Sequence, residues 1–316
     1  MEIKRFETQP HLDEIKTKIP MKVLPKKKRS RWKRYVPAYL LLFPLLLIIC
    51  GFFLVPMLYI LYLSLIETDG LDTENAVFSL QNYVQFFSDS YFLKSLWLTI
   101  KISIYTVLVT LLLGYPVALT LLKCSQRMRG YLILLIASPL LVSIVVRNFG
   151  WYLLLSPNGV VNNLLMAVGL VDSPIKILFS ELGVIIGLSN AYLPYMILAI
   201  ATSLYNIDPS LVKASSILGA SPLRSFLLIT LPLSLPGIVS GSVLVFSLSM
   251  SSYVTPVLMG GANVPMLPVV AYDQILNLLR WTYGSAISYV LLGVTMIIVS
   301  LTTRIFEIGK FKEVFR

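Results

Sequence analysis

The stretch Asp208–Ile238, DPSLVKASSILGASPLRSFLLITLPLSLPGI, decides how the chain is read. It is punctuated by Gly and Pro and lies between two uncharged apolar runs. Asp208 supplies a helix N-cap, and Pro209 suits the first helical position, where the missing N–H is not needed. Gly219 can take the left-handed conformation that ends a helix. Ser221-Pro222 repeats the cap-plus-proline signal and predicts a restart. Between the stops, Leu211, Ala214, Ile217 and Leu218 share one face at helical spacing. The stretch therefore predicts a helix of about three turns between two membrane spans, with one apolar face that needs a surface to dock on.

Composition supports the membrane setting. Of the 316 residues, 57% are hydrophobic and 13% charged, and the mean hydropathy is +0.82. A soluble domain carries roughly 25% charged residues. The apolar runs are about 20 residues long without strand alternation, which predicts helical spans and not barrel strands. Residues 1–34 hold 12 Lys/Arg against 4 Asp/Glu, a net of +8. That excess sits just before an apolar span, so it reads as an orientation signal and not as a nucleic-acid surface. Two cysteines and one histidine leave no metal-ligand spacing.

The chain reads as a basic tail (1–37), a six-span domain (38–307) and a short C-terminal tail (308–316). The spans fall near 39–63, 102–122, 132–155, 183–204, 226–259 and 284–303, with a loop at 205–225. Gly114-Tyr115-Pro116 is read as an interruption of the second span. The fifth is longer than a bilayer needs, so its part up to Pro236 is expected to enter obliquely. Loop 66–93 carries acids and no Lys or Arg before the span; loop 123–129 is basic. Both termini and the loop 205–225 are therefore expected in the cytoplasm.

With this topology, the opening stretch resembles the "EAA" loop of permease subunits of bacterial ABC importers. The match is Lys213-Ala214-Ser215, Gly219-Ala220-Ser221-Pro222, Phe226 and Leu231-Pro232, ending in Leu235-Pro236-Gly237-Ile238. Gly114-Tyr115-Pro116, Val146-Arg147 with Trp151, Tyr253-Val254-Thr255-Pro256 and Tyr272-Asp273-Gln274 resemble spermidine/putrescine-type permeases. The resemblance implies an all-α membrane protein of the type I ABC importer permease fold in a bacterial inner membrane. It implies a non-catalytic subunit that forms a pathway for a small charged organic solute, foremost a polyamine. Opine, amino-acid-like and phosphonate solutes stand as alternatives. It also implies the partners: a second permease subunit (a related chain or a second copy), two ABC ATPase subunits that hold ATP and Mg, an extracytoplasmic solute-binding protein and the lipid bilayer. No cofactor is expected on this chain. The coupling helix would consist of Asp208, Pro209, Leu211, Lys213, Ala214, Ser215, Leu218, Gly219, Ala220 and Pro222. One departure matters: Lys213 stands where the family carries an acid, and would repel a basic residue on the ATPase.

The remaining candidates are weighed on their chemistry. Asp273, with Tyr272 and Trp281 nearby in sequence, suits an ammonium group through charge and cation–π attraction; a solvated face or a contact with the solute-binding protein is the plainer reading. Glu181 is treated likewise. Asn190, Tyr192, Tyr195 and Tyr253 are polar groups in apolar spans, so they face the bundle interior, either binding helices together or lining a pathway. Trp151 joins them, although Trp151-Tyr152 also reads as an interface belt. Arg147 either bonds to backbone or faces a cavity. The chain has no Gly-rich loop followed by Lys-Ser or Lys-Thr, so energy must come from a partner. A stand-alone secondary transporter would need an inverted repeat or a coupling-ion site, and neither is legible.

Overall fold

The computed structural model describes residues 43–67 and 77–308. The basic tail 1–37, the acids at 69, 72 and 74, and the basic residues at 310, 312 and 316 lie outside the described residues. The chain divides into two compact units, Met1–Met57 and Leu58–Arg316. The first apolar helix is α1 (Phe43–Ser64). Two short strands follow, β1 (Ile66–Glu67) and β2 (Val77–Phe78), antiparallel with Ile66 opposite Phe78 and Glu67 opposite Val77. Helix α2 (Gln81–Ser88) locks onto them, because Asn82 Nδ2 donates to the Ile66 carbonyl at 2.9 Å.

The long helices carry the architecture. These are α3 (Ser90–Lys123), α7 (Glu181–Tyr205), α9 (Pro222–Met250) and α12 (Trp281–Ile308). Shorter helices lie between them: α4 (Gln126–Ala137), α5 (Ile144–Leu155), α6 (Val160–Ala167), α8 (Pro209–Ile217), α10 (Val254–Met259) and α11 (Leu267–Tyr272). Among the described residues five helices are long and apolar enough to cross a membrane; a bent pair, Gln126–Leu141 with Ile144–Ala167, makes six if it counts as one span.

Helix α7 is the centre. Leu188, Met196, Ile200 and Leu204 are fully buried in a core built with α3 and α9. Glycines make these crossings close, as small residues do where helices meet in lipid. A Cβ on Gly237 would lie 2.5 Å from Ser203 Cβ and 2.7 Å from the Ala199 carbonyl. Gly114 and Gly241 bring α3 and α9 against Met196 in the same way. A second cluster joins Phe86, Phe92, Leu267, Val270, Tyr283 and Ile287. The buried hydroxyls of Thr99, Thr106 and Thr110 bond to carbonyls one turn back on α3. Thr99 Oγ1 also accepts the Leu267 N–H at 2.8 Å.

Three readings of the spans change. Gly114-Tyr115-Pro116 does not interrupt α3, which runs unbroken from Ser90 to Lys123. Pro116 costs one backbone bond, and neighbouring groups re-satisfy helices in such cases; Tyr115 instead bonds Ser234 at 2.8 Å. The stretch read as a third span bends by 92° between Leu141 and Ile144, where Ser138–Leu141 tightens into a 3-10 turn behind Pro139. The stretch read as the fifth span is helical through Pro232 and Pro236 and breaks at Ser251–Tyr253, between α9 and α10.

Candidate functional site

The loop between α7 and α9 forms as its local chemistry dictates. Asp208 Oδ1 accepts the Ser210 N–H at 2.8 Å, and Pro209 opens α8. That backbone bond holds the Asp208 carboxyl below the usual carboxylate range. At the other end Gly219 has φ +82°. The Ala220 N–H bonds to the Ser215 carbonyl and the Gly219 N–H to the Ser216 carbonyl, which is the Schellman closure. Ser221 then caps α9, accepting the Arg224 N–H, with Pro222 in its first turn.

The orientation of α8 could not be read from its sequence. Its only buried side chain is Ser215, whose hydroxyl meets that of Ser225 at 2.7 Å. The apolar face turns outward: Leu211 is exposed, and Ile217 and Leu218 are 85% and 87% exposed. Lys213 and Ala214 are exposed as well. So α8 is anchored by one serine pair and offers its apolar residues and a lysine to something outside this chain.

The second feature lies around the break at Ser251–Tyr253. The Tyr253 ring packs on Tyr272, centroids 4.3 Å apart. Asp273, next in sequence, lies within electrostatic reach of Tyr253 and accepts the Asn277 amide at 2.8 Å. On the other side of the break, the Tyr192 hydroxyl donates to the Leu248 carbonyl at 3.1 Å and lies beside Ser252. Tyr195 is 6.4 Å from Tyr192, ring to ring. Arg147 on α5 lies within electrostatic reach of Tyr192, and its Nε and Nη1 are buried without a hydrogen-bond partner. Residues distant in sequence thus meet in two groups at the break: Tyr253 with Tyr272 and Asp273, and Tyr192 with Tyr195, Ser252 and Arg147.

The other candidates fall elsewhere. Glu181 pairs with Lys101 at 2.6 Å, tying the start of α7 to α3. Trp151 packs against the apolar core. Asn190 is half-buried on α7 and lies about 200° around the helix from Tyr192. Trp281, near Asp273 in sequence, lines a separate cleft with Glu67 and Gln85. One bond went unread: Asn148 Nδ2 donates to Thr255 Oγ1 at 2.9 Å, linking α5 to α10. An amide inside an apolar segment was the available signal, since it must find a partner there.

A bundle of apolar helices, with a capped loop helix offering its apolar face and a polar break between helices, defines a membrane-embedded transport subunit. Residues 110–307 match the model of the family described as "Binding-protein-dependent transport system inner membrane component", and the chain belongs to that family. It is therefore a multi-pass permease subunit of the inner membrane. It is similar to the spermidine/putrescine transport system permease protein PotB of Escherichia coli (strain K12), 34% identical over 240 residues, 76% of this chain and 87% of that one. PotB of Haemophilus influenzae is 32% identical over 250 residues, covering 79% and 86%. Among solved structures, a chain of the bacterial alginate ABC transporter in complex with its alginate pentasaccharide-bound periplasmic protein matches with a TM-score of 0.72. It covers 87% of this chain and 95% of that one at 19% identity, a likeness of fold alone.

Proposed function

We propose that this chain is the pathway-forming permease subunit of an ABC importer for polyamines. The observation that carries the substrate class is the group formed by Tyr253, Tyr272 and Asp273. A carboxylate beside two phenol rings offers an ammonium both a counter-charge and π-faces. Similarity to the spermidine/putrescine permeases supports the same reading. The break at Ser251–Tyr253 is the place where bent backbone would line a cavity and not meet lipid. Asn190, Trp151 and Glu181 play supporting parts: Glu181 is occupied by Lys101, and Trp151 packs the core.

The loop 205–225 lies on the cytoplasmic side, and α8 is the coupling helix. Its exposed Leu211, Ile217 and Leu218 seat in an ATPase subunit, which carries ATP and Mg. A second permease subunit completes the pathway, and a solute-binding protein delivers the solute at the opposite face. Lys213 calls for an acidic or neutral groove on the ATPase.

One observation favours a second reading. The unpaired N–H groups of Arg147 beside Tyr192 suit a solute with an acceptor, such as a carboxylate, next to its amine. The test is ATP-driven uptake by the assembled transporter in proteoliposomes. Labelled spermidine or putrescine is expected to accumulate, and Asp273→Asn to raise the KM about tenfold or more, as loss of a charged hydrogen-bond partner does. Accumulation of amino-acid-like solutes with no polyamine uptake would transfer the function to the second reading.

A further inference from the structure

Arg129 lies in the first turn of α4 and is half-buried. Its Nε donates to the Leu121 carbonyl at 3.2 Å and its Nη2 to the Leu122 carbonyl at 3.4 Å. Both carbonyls belong to the last turn of α3, where the helix itself supplies no N–H. The same guanidinium sits over the Tyr205 ring, 4.5 Å from its centroid. Tyr205 is the last residue of α7, and its hydroxyl is buried without a hydrogen-bond partner. The arginine therefore uses the ring face and not the hydroxyl. Among the described residues no carboxylate pairs with Arg129; the ion pair found there is Lys101–Glu181. One side chain thus ties together the end of α3, the start of α4 and the end of α7.

The place of this contact matters because α8 begins just beyond Tyr205. The step between the two helices is short and hydrogen-bonded. The Asn206 N–H donates to the Ser203 carbonyl at 3.2 Å and the Ile207 N–H to the Leu204 carbonyl at 3.3 Å; Asp208 caps α8 directly afterwards. Ile207 also packs against the core. A displacement of α8 therefore reaches Tyr205 with little slack, and it reaches α9 through the Ser215–Ser225 contact. Helix α4 has no such chain connection to α8. It packs on the core through Leu132, Ile133 and Ile136 and leads through the 92° bend into α5. There Asn148 bonds Thr255 of α10, just past the break at Ser251–Tyr253. Arg129 joins the root of α8 to this arm of the bundle.

We propose that Arg129 is a positioning residue for transport: it couples the seat of α8 to the bent pair α4–α5, so that movement of α8 reaches the helices beside the break. The inference rests on the importer reading above, in which α8 docks on the ATPase. The task calls for a guanidinium. A lysine ammonium is a point charge and does not span two carbonyls while lying flat on a ring. Arg127, two positions away, is exposed and lies outside these contacts, so the two arginines separate the effect of charge from that of geometry. Spatial adjacency alone does not establish coupling, so the test measures it directly.

The experiment uses the assembled transporter in proteoliposomes with its solute-binding protein and labelled spermidine. It measures spermidine taken up per ATP hydrolysed, the KM for uptake and the ATPase retained on co-purification. Arg129→Gln is expected to lower uptake per ATP about fivefold, the scale of coupling between linked sites, with KM and ATPase retention at wild-type values. Tyr205→Leu is expected to give the same loss, and the double variant no further loss, because both changes remove one contact. Tyr205→Phe keeps the ring face and is expected to match wild type. Arg127→Gln removes an equal charge and is expected to leave uptake per ATP unchanged. Wild-type uptake per ATP in Arg129→Gln would overturn the role of Arg129 and leave the importer reading standing. So would an equal loss in Arg127→Gln, which would assign the effect to loop charge, or additive losses in the double variant. If Arg129→Gln does not assemble, equal uptake per ATP in Tyr205→Leu and Tyr205→Phe overturns the proposal. A wild-type transporter that hydrolyses ATP and accumulates no solute would overturn the importer reading and this inference with it.

Discussion

Asp208 acts through its charge state. Its carboxylate accepts the Ser210 N–H, which lowers its pKa in the folded chain. A group whose folded pKa is depressed contributes fully above its unfolded value, near 4 for Asp, and loses that contribution as pH falls through the lowered value. The cap is therefore intact across the neutral range and weakens only in acid. Backbone hydrogen exchange, corrected for its intrinsic pH dependence, is expected to show fraying of residues 210–214 below about pH 4. Asp208→Asn keeps the acceptor oxygen and is expected to remove that pH response without unwinding α8. This residue was legible from sequence because capping is decided within four positions. Asp273 was legible only in part. Its neighbour Tyr272 adjoins it in sequence, but Tyr253 reaches the same spot from another segment. Glu181 shows the opposite case: the same residue type is spent on Lys101, across the chain.

At the scale of elements, α8 is too short to persist alone; isolated helices under about 12 residues are marginal in water. Its two caps and the Ser215–Ser225 contact hold it. Because Ile217 and Leu218 contact little within this chain, Ile217→Asp and Leu218→Asp are expected to leave the permease's own stability within about 0.5 kcal/mol. The same changes are expected to abolish co-purification of the ATPase, since they put charge into an apolar groove. Loss of folded permease in a thermal shift assay, or unimpaired co-purification, would contradict a docking role. The ends of α8 were predicted from Asp208, Pro209, Gly219 and Ser221. Its orientation was not, because an apolar stripe looks the same whether its own chain or a partner covers it. Pro116 misled in the other direction: proline signals a break locally, but α3 continues through it.

For the whole molecule, the decisive contacts are the close approaches on α7. Gly237→Ala would drive a methyl group into Ser203 and the Ala199 carbonyl. The α7–α9 crossing must open, and overpacking of this kind costs about 1–3 kcal/mol. A lower melting temperature in detergent is the expected result. Gly293→Ala is the matched control: nothing lies within 4 Å of its added Cβ, so it is expected to melt at or above the wild-type temperature. The 92° bend between Leu141 and Ile144 belongs to this scale too, since hydropathy alone runs smoothly across it.

The sequence by itself determined the membrane class, the approximate apolar segments, the caps of α8 and the family resemblance. These follow from local composition, hydrogen-bonding capacity and spacing, which act over a few residues. Only the tertiary structure decided that α8 turns its apolar face outward, that the long fifth segment breaks at Ser251–Tyr253, and that Asp273 meets Tyr253 while Glu181 meets Lys101. Those outcomes depend on which distant side chains fill the same space, and contact across a folded bundle carries no periodic mark in the chain.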